Sequence, residues 1–166
     1  MTGRKVLITG ASGFIGKPMV RALAASGWTV RAASRDPAAI PDIAGVERVA
    51  LPDLSREADW SPLVEGVTHI VHLAGIAHAP GQLPDEVYTR INTHAVGELA
   101  QATKGRVERL ALMSSVRAQA GLSAGHVITE TDQANPTDPY GRSKLAAERV
   151  LAASGVGFTV LRPAVV

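Results

Sequence analysis

The chain has 166 residues, a length typical of one domain with a single hydrophobic core, and we expect one domain over residues 1–166. Its composition of 46% hydrophobic and 19% charged residues, with a formal net charge of +2, excludes a disordered chain and a strongly basic nucleic-acid-binding protein. It has no cysteine, which excludes disulfides and thiolate nucleophiles, and its apolar runs are too short to span a membrane. We therefore expect a cytoplasmic protein that binds neither nucleic acid nor membrane.

Short apolar runs of strand length alternate with longer amphipathic segments along the chain. The predicted strands cover residues 5–9, 29–33, 46–51, 69–73, 109–113 and 158–162. The predicted helices cover residues 14–25, 56–65, 85–103 and 139–153, and the glycines expected at their C-terminal ends are Gly27, Gly66, Gly105 and Gly155. This alternation predicts an α/β fold with a Rossmann-type, doubly wound parallel sheet of strand order 3-2-1-4-5-6.

A glycine-rich turn connects the first predicted strand to the first predicted helix. Glycine permits unusual backbone angles and close approach, and the N–H groups at the start of a helix attract anions. The turn therefore predicts a site for the pyrophosphate of a dinucleotide, and the alternative is a tight connection without a ligand. The glycines follow the spacing Gly-x-x-Gly-x-x-Gly in the run Thr9-Gly10-Ala11-Ser12-Gly13-Phe14-Ile15-Gly16.

The end of the second predicted strand bears on the choice between NAD and NADP. In NAD-binding folds an acidic residue about 20 positions after the glycines holds the adenosine ribose. Here that position is Ser34, followed by Arg35. A hydroxyl and a forked, permanently charged guanidinium suit a 2′-phosphate, which favours NADP. The alternative is that Arg35 is solvated and that Asp36 binds the ribose.

Candidate catalytic residues surround the only long predicted connection, residues 116–138. Tyr140 and Lys144 begin the last predicted helix at a spacing that places both on one helix face. An adjacent ammonium is expected to lower the pKa of the phenol, which suits a general acid or base at an alcohol oxygen. Ser114 and Ser115 end the fifth predicted strand and offer a hydroxyl that could polarise a carbonyl.

The histidines do not have the spacing of a metal site, and we predict no bound metal. His69 and His72 share a predicted strand but point to its opposite faces. We expect all five to be structural or exposed: His69, His72, His78, His94 and His126.

Taken together, these motifs resemble the extended short-chain dehydrogenase/reductase family, and more narrowly its NAD-dependent epimerase/dehydratases that act on nucleoside-diphosphate sugars. The resemblance covers essentially the whole chain, with the motifs in the family's order and spacing. The residues that carry it are the glycine-rich run, Val71-His72-Leu73-Ala74-Gly75, Ser114-Ser115 and Tyr140-Gly141-Arg142-Ser143-Lys144.

The resemblance implies a role for each matching residue. Ser115, Tyr140 and Lys144 would be the catalytic set, with Tyr140 taking a proton while hydride passes to the nicotinamide. Helices 85–103 and 139–153 would form a homodimer interface. The residues implied at the cofactor are Gly10, Gly13, Phe14, Ile15 and Gly16 at the pyrophosphate, Asp53 and Leu54 at the adenine, Leu73, Ala74 and Gly75 along the dinucleotide, and Asn92 and Pro163 near the active site.

The sequence departs from the family pattern in three places. The residues after Ser115 lack the usual Val-Tyr-Gly ending, which leaves the substrate class open, and Ser34 replaces the expected acidic residue. Family members also continue beyond Pro163 into a C-terminal domain that grips the nucleotide sugar. We therefore expect a chain that lacks most of that substrate domain and has little turnover alone.

Two other functions are compatible with a dinucleotide-binding fold. One is a non-catalytic NAD(P)-binding or redox-sensing module, although such a module would not need Ser115, Tyr140 and Lys144. The other is a single-domain ketone or alcohol reductase of the shorter branch of the family. The run Gly13-Phe14-Ile15-Gly16 and the absence of an Asn-Ala-Gly motif disfavour that branch.

Overall fold

The computed structural model describes residues 3–77, 83–121 and 123–164. His78, one of the five histidines expected to be structural or exposed, lies outside these ranges. Six strands form one sheet, in which every neighbouring pair is parallel and the order is β3-β2-β1-β4-β5-β6. This confirms the predicted doubly wound arrangement. The strands are β1 (Lys5–Thr9), β2 (Thr29–Ser34), β3 (Val46–Ala50), β4 (His69–His72), β5 (Arg109–Met113) and β6 (Phe158–Leu161).

The helices cover both faces of the sheet. They are α1 (Gly16–Ala25), α2 (Ser61–Val64), α3 (Asp85–Tyr88), α4 (Ala95–Thr103) and α5 (Pro139–Ala153), with a π-helical turn, Thr89–His94, joining α3 to α4. Short 3₁₀ turns occupy Pro37–Ala39 and Val116–Ala118. The predicted helix end points are confirmed by positive φ angles at Gly27, Gly66, Gly105 and Gly155.

The core lies on both sides of β1 because successive side chains of a strand point to opposite faces. Leu7 faces a cluster with Leu99 of α4 and Leu110 of β5. Val6 and Ile8 face the opposite cluster, which α1 covers. The central strands are therefore buried on both faces, whereas β3 and β6 at the sheet edges are only partly buried.

The prediction of a helix over residues 56–65 is wrong in extent, since only Ser61–Val64 is helical. Asp53 accepts a hydrogen bond from the Ser55 N–H, and Asp59 accepts one from the Ser61 N–H. Such side-chain turns offer the backbone an alternative to helical hydrogen bonds, so the first half of the segment is a loop.

Candidate active site

The glycine-rich turn packs too tightly for side chains at two of its positions. Gly10 has φ +68°, and a Cβ atom on it would lie 2.9 Å from the backbone nitrogen of Ala74. A Cβ on Gly16 would lie 2.3 Å from the Gly10 carbonyl oxygen. The close packing brings the N-terminus of α1 next to the end of β4. No side chain of the described residues caps this N-terminus, so the positive end of the helix faces the cleft without a protein anion on it.

Thr9 and His72 fix the two strand ends that flank the turn. The Thr9 hydroxyl oxygen accepts hydrogen bonds from the backbone N–H groups of Leu73 and Ala74, at 3.2 and 3.1 Å. Its own proton is therefore donated to Nδ1 of His72, 2.9 Å away, which places the imidazole proton on Nε2. Burial and, to a smaller extent, the nearby Lys144 charge lower the pKa of His72 to about 3, so His72 is neutral.

Two connected cavities open along the carboxyl ends of the strands. The larger has a volume of about 540 Å³ and the smaller about 290 Å³, and both are bounded by Gly10, Gly13, Leu73 and Gly75. The predicted residues that line the larger cavity also include Phe14, Ile15, Gly16, Ser115, Tyr140, Lys144 and Pro163. Those that line the smaller also include Ser12, Ser34, Arg35, Asp53, Leu54 and Ala74.

The smaller cavity contains the residues predicted to contact the adenosine half of the cofactor. Ser34 and Ser12 share a hydrogen bond of 2.6 Å, and Arg35 is exposed at the cavity edge. Asp36 accepts a hydrogen bond from the Ala38 N–H and caps the 3₁₀ turn that follows. The Asp36 carboxylate is thus engaged in a local turn, while Ser34 and Arg35 border the cavity.

Tyr140 lies in the larger cavity at the start of α5. Asp138 caps this helix by accepting a hydrogen bond from the Gly141 N–H, and Arg117 pairs with the same carboxylate. Gly141 is required there because a Cβ atom would lie 2.2 Å from the Arg117 carbonyl oxygen. These contacts set the 3₁₀ turn after β5 against the first turn of α5, which brings Ser115 and Tyr140 together.

The expectation that Lys144 lowers the pKa of Tyr140 is wrong. Burial of the ring raises this pKa above its usual value, and the Asp138 charge raises it further. A hydrogen bond from Ser115 and the Arg117 charge oppose the increase but do not overcome it. The spacing of four residues places Tyr140 and Lys144 in one cavity, but Lys144 is not among the groups that shift the Tyr140 pKa.

Lys144 itself is buried, with 6% of its surface exposed. Burial lowers the pKa of Lys144 to about 8, and the carboxylate of Glu148 opposes that decrease. An ammonium of this kind carries its charge inside the cleft at neutral pH and releases its proton more readily than an ordinary lysine.

Asn92 lies behind the cavities and does not line them. Its side-chain oxygen accepts a hydrogen bond from the Ile76 N–H, and its amide donates to the Ile76 carbonyl and to Ser143 Oγ. The π-helical turn that carries Asn92 is therefore tied both to the loop after β4 and to α5. Asn92, a predicted site residue, therefore supports the site without lining either cavity.

Several residues that shape the site were missed by sequence reasoning. Thr9 and His72 were named within motifs, but their contact, which joins residues 63 positions apart, was not predicted. The partly buried ion pair of Glu148 and Arg162 was also missed. The available signal for Glu148 is its place four residues after Lys144, on a helix face that is otherwise apolar.

Within the described ranges, no group of three or more His, Asp or Glu side chains is arranged to hold a metal ion. In the same ranges, no helix is long and apolar enough to cross a membrane.

Comparison with known proteins finds a matching family and several similar proteins. Residues 6–166 match the model of the NAD dependent epimerase/dehydratase family. The chain is 30% identical to a UDP-glucose 4-epimerase of Vibrio cholerae, over 98% of this chain and 52% of that protein. It is also 30% identical to a ceramide reductase of Caulobacter vibrioides, over 95% of this chain and 45% of that protein. The chain thus spans about half the length of these curated relatives.

Solved structures have the same fold. MoeE5 in complex with UDP-glucuronic acid and NAD superposes with a TM-score of 0.79 at 32% identity, covering 95% of this chain and 54% of MoeE5. A short-chain dehydrogenase/reductase superfamily protein of Agrobacterium tumefaciens with bound NAD superposes with a TM-score of 0.82 at 23% identity, covering 96% of this chain and 48% of that one. The glycine-rich turn, the strand order and the family match over residues 6–166 lead to one conclusion: the chain belongs to the NAD-dependent epimerase/dehydratase family.

Proposed function

We propose that the chain is the cofactor-binding and catalytic part of an NAD(P)-dependent enzyme that epimerises, dehydrates or reduces a nucleoside-diphosphate sugar. The observation that carries this proposal is the continuity of the two cavities. They lead from Ser34 and Arg35, past the glycine-rich turn, to Ser115, Tyr140 and Lys144. An extended dinucleotide placed along this path would bring its nicotinamide end to the candidate catalytic residues.

The residues present fit a dinucleotide. The pyrophosphate would lie at the N-terminus of α1, where backbone N–H groups and the helix dipole favour an anion. Gly10 and Gly16 leave no room for side chains of their own, which keeps the backbone close to the bound phosphates. Asp53 and Leu54 would border the adenine, and Pro163 the nicotinamide.

Arg35 supports a preference for NADP over NAD. It is exposed at the edge of the smaller cavity beside Ser34, where it could pair with a 2′-phosphate, while Asp36 is engaged by the turn that it caps. The solved relatives described above contain NAD. The preference of this chain is therefore a prediction from its own residues.

The bound nicotinamide supplies the chemistry of accepting and returning a hydride. The protein residues handle the proton. Tyr140 removes it from a sugar hydroxyl and returns it to the corresponding carbonyl oxygen. Ser115, hydrogen-bonded to Tyr140, orients the same oxygen. Lys144 lines the same cavity and would hold the nicotinamide ribose.

The relatives support a sugar nucleotide as the substrate class. UDP-glucose 4-epimerase and MoeE5 with UDP-glucuronic acid are named for, or contain, a UDP-sugar. The ceramide reductase indicates that the same half-chain also occurs in an enzyme that reduces a different substrate. We therefore assign the sugar nucleotide as the substrate and carbonyl reduction as the reaction to test beside epimerisation.

We also propose a homodimer through helices 85–103 and 139–153. In this region α4 and α5 pack side by side, with Gly97 of α4 against Val150 of α5. Val150 remains 39% exposed and presents an apolar side chain at the outer side of the pair. Sedimentation equilibrium of the wild-type chain and of Val150→Glu tests this, since the charged variant is expected to be monomeric. A wild-type monomer at high concentration would refute the proposal.

The catalytic proposal is tested in a protein that includes a sugar-binding half. Residues 1–166 are joined to the C-terminal half of the Vibrio cholerae relative, the part that this chain does not span. Inversion of UDP-glucose at carbon 4 is assayed with Tyr140 and with Tyr140→Phe. We expect the variant to bind cofactor normally and to lose activity by about a hundredfold or more, the contribution typical of general acid–base catalysis. Tyr88→Phe is the matched control because Tyr88 packs edge-on against Tyr140 but does not line the larger cavity. Retained kcat in Tyr140→Phe would remove Tyr140 from this role.

A further inference from the structure

Glu148 is a buried carboxylate with an unusual set of partners. It is 7% exposed and lies on the inner face of α5. Ser114, at the end of β5, donates its hydroxyl proton to Oε1, and Arg162, after β6, donates from Nε to Oε1 at 3.0 Å and from Nη2 to Oε2. Charged groups of this kind are stable in a protein interior only when they are paired and hydrogen-bonded. Glu148 meets both conditions through Ser114 and Arg162.

Lys144 lies one helical turn before Glu148, on the same face of α5. A spacing of four residues makes two side chains neighbours on a helix surface, and both of these are buried. Burial of Lys144 disfavours its charged form, and Glu148 is the group that opposes this effect. Arg162 already supplies the opposite charge that Glu148 needs in the interior. The packing of α5 therefore does not require a second cation, and Lys144 beside this pair is an additional feature.

Few other charged groups bear on Lys144. His72 on β4 is neutral, and the phenol of Tyr140 is protonated at neutral pH because burial raises its pKa. Ion pairs engage several of the remaining charges on the elements packed against α5: Arg117 with Asp138, Arg142 with Asp85, and Arg90 with Glu98. Glu86, His94 and Arg149 are exposed to solvent. The pKa of Lys144 is therefore set by its burial and by the negative charge of Glu148.

We propose that Glu148 is a positioning residue that acts through Lys144, holding a positive charge in the cleft beside Tyr140, and that Arg162 holds Glu148 in place. Arg162 also connects this pair to the loop after β5. Its Nη1 donates to the Gln119 side-chain oxygen at 2.7 Å, and Gln119 in turn donates to the carbonyls of Thr129 and Asp132. The loop after β5 and the charge on the active-site lysine thus depend on the same ion pair.

The proposal rests on the proposed role of Lys144, but its test requires neither turnover nor cofactor. The four lysines of the 166-residue chain are labelled by reductive methylation with ¹³C-formaldehyde and titrated by NMR. The Lys144 signal is identified by its loss in Lys144→Arg. In Glu148→Gln, which keeps the size and hydrogen-bonding capacity of the side chain, the pKa of Lys144 is expected to fall by about one pH unit or more, as expected on loss of an adjacent opposite charge. The exposed Glu57→Gln is the matched control and should leave Lys144 unchanged.

A purely structural role gives the opposite result. If Glu148→Gln only loosened α5, Lys144 would gain water and its pKa would rise towards the ordinary lysine value. A rise, or no change, in a folded variant overturns the proposal. Should Glu148→Gln not fold, the double variant Glu148→Gln/Arg162→Gln is measured instead, because replacing both partners of a buried pair is tolerated better than removing one. Of the two replaced charges, Glu148 is the one that affects the pKa of Lys144, so this pKa should again fall. A rise or an unchanged value again refutes the proposal.

Discussion

Removal of the Thr9 hydroxyl is the sharpest test of how the cleft is built. Thr9→Val keeps the shape of the side chain and removes the hydroxyl. Leu73 N–H retains the Thr9 carbonyl oxygen at 3.3 Å, but Ala74 N–H and Nδ1 of His72 lose the hydroxyl, which is the partner described for each. A buried polar group left without a partner costs about 1–3 kcal/mol, so two such groups predict a loss of about 2–6 kcal/mol in the free energy of unfolding.

The assay is urea unfolding followed by circular dichroism, with Thr103→Val as the matched control. Thr9 and Thr103 are equally buried, with 0% of each exposed. The Thr103 hydroxyl donates to the Leu99 and Ala100 carbonyls within its own helix. The Leu99 carbonyl also accepts the Thr103 N–H within the helix, so removal of the Thr103 hydroxyl leaves fewer groups unsatisfied than removal of the Thr9 hydroxyl and should cost about 1 kcal/mol. Equal losses in the two variants would refute the role assigned to Thr9.

Three further predictions concern the cleft directly. Gly16→Ala places a Cβ atom 2.3 Å from the Gly10 carbonyl oxygen and should abolish dinucleotide binding measured by calorimetry. Gly3→Ala is the control because its Cβ atom meets no atom within 4 Å, and it should bind normally. Unchanged binding in Gly16→Ala would contradict the packing of the turn. Arg35→Ala should weaken NADP+ binding more than NAD+ binding, and equal losses would rule out a contact with the 2′-phosphate. The folded-state pKa of Lys144, about 8, lies below the ordinary lysine value of 10.5, so the unfolded state binds more protons between these values. The stability contribution of Lys144 therefore rises with pH from about 8 to 10.5. This rise should be present in urea titrations of the wild type and absent from Lys144→Met; the same slope in both would contradict the burial of Lys144.

Local patterns predicted the fold well. The order of apolar runs, the intervening helices and the glycines after them determine a parallel sheet with right-handed crossovers, and the sheet order is confirmed. The error over residues 56–65 has a local cause that the apolar pattern did not reveal. Asp53 and Asp59 form side-chain turns, and these outweigh the weak helical tendency of the segment.

The candidate site was predictable in its residues but not in its electrostatics. The glycine-rich turn and the Tyr140–Lys144 spacing are short-range patterns, and the structure brings these residues to one cleft. The sign of the change in the Tyr140 pKa depends on how deeply the ring is buried, which spacing alone does not determine. The Glu148–Arg162 pair likewise depends on where β6 ends against α5, a tertiary contact.

Calorimetric titration of the 166-residue chain with NADP+ and NAD+ in parallel tests the central claim, that residues 1–166 contain a dinucleotide site. All the residues proposed here to contact the dinucleotide are in this chain, so we expect the 166-residue chain to bind it. We predict saturable binding with Kd in the micromolar range and a preference for NADP+. Folded protein that takes up neither nucleotide would contradict the account of the cleft.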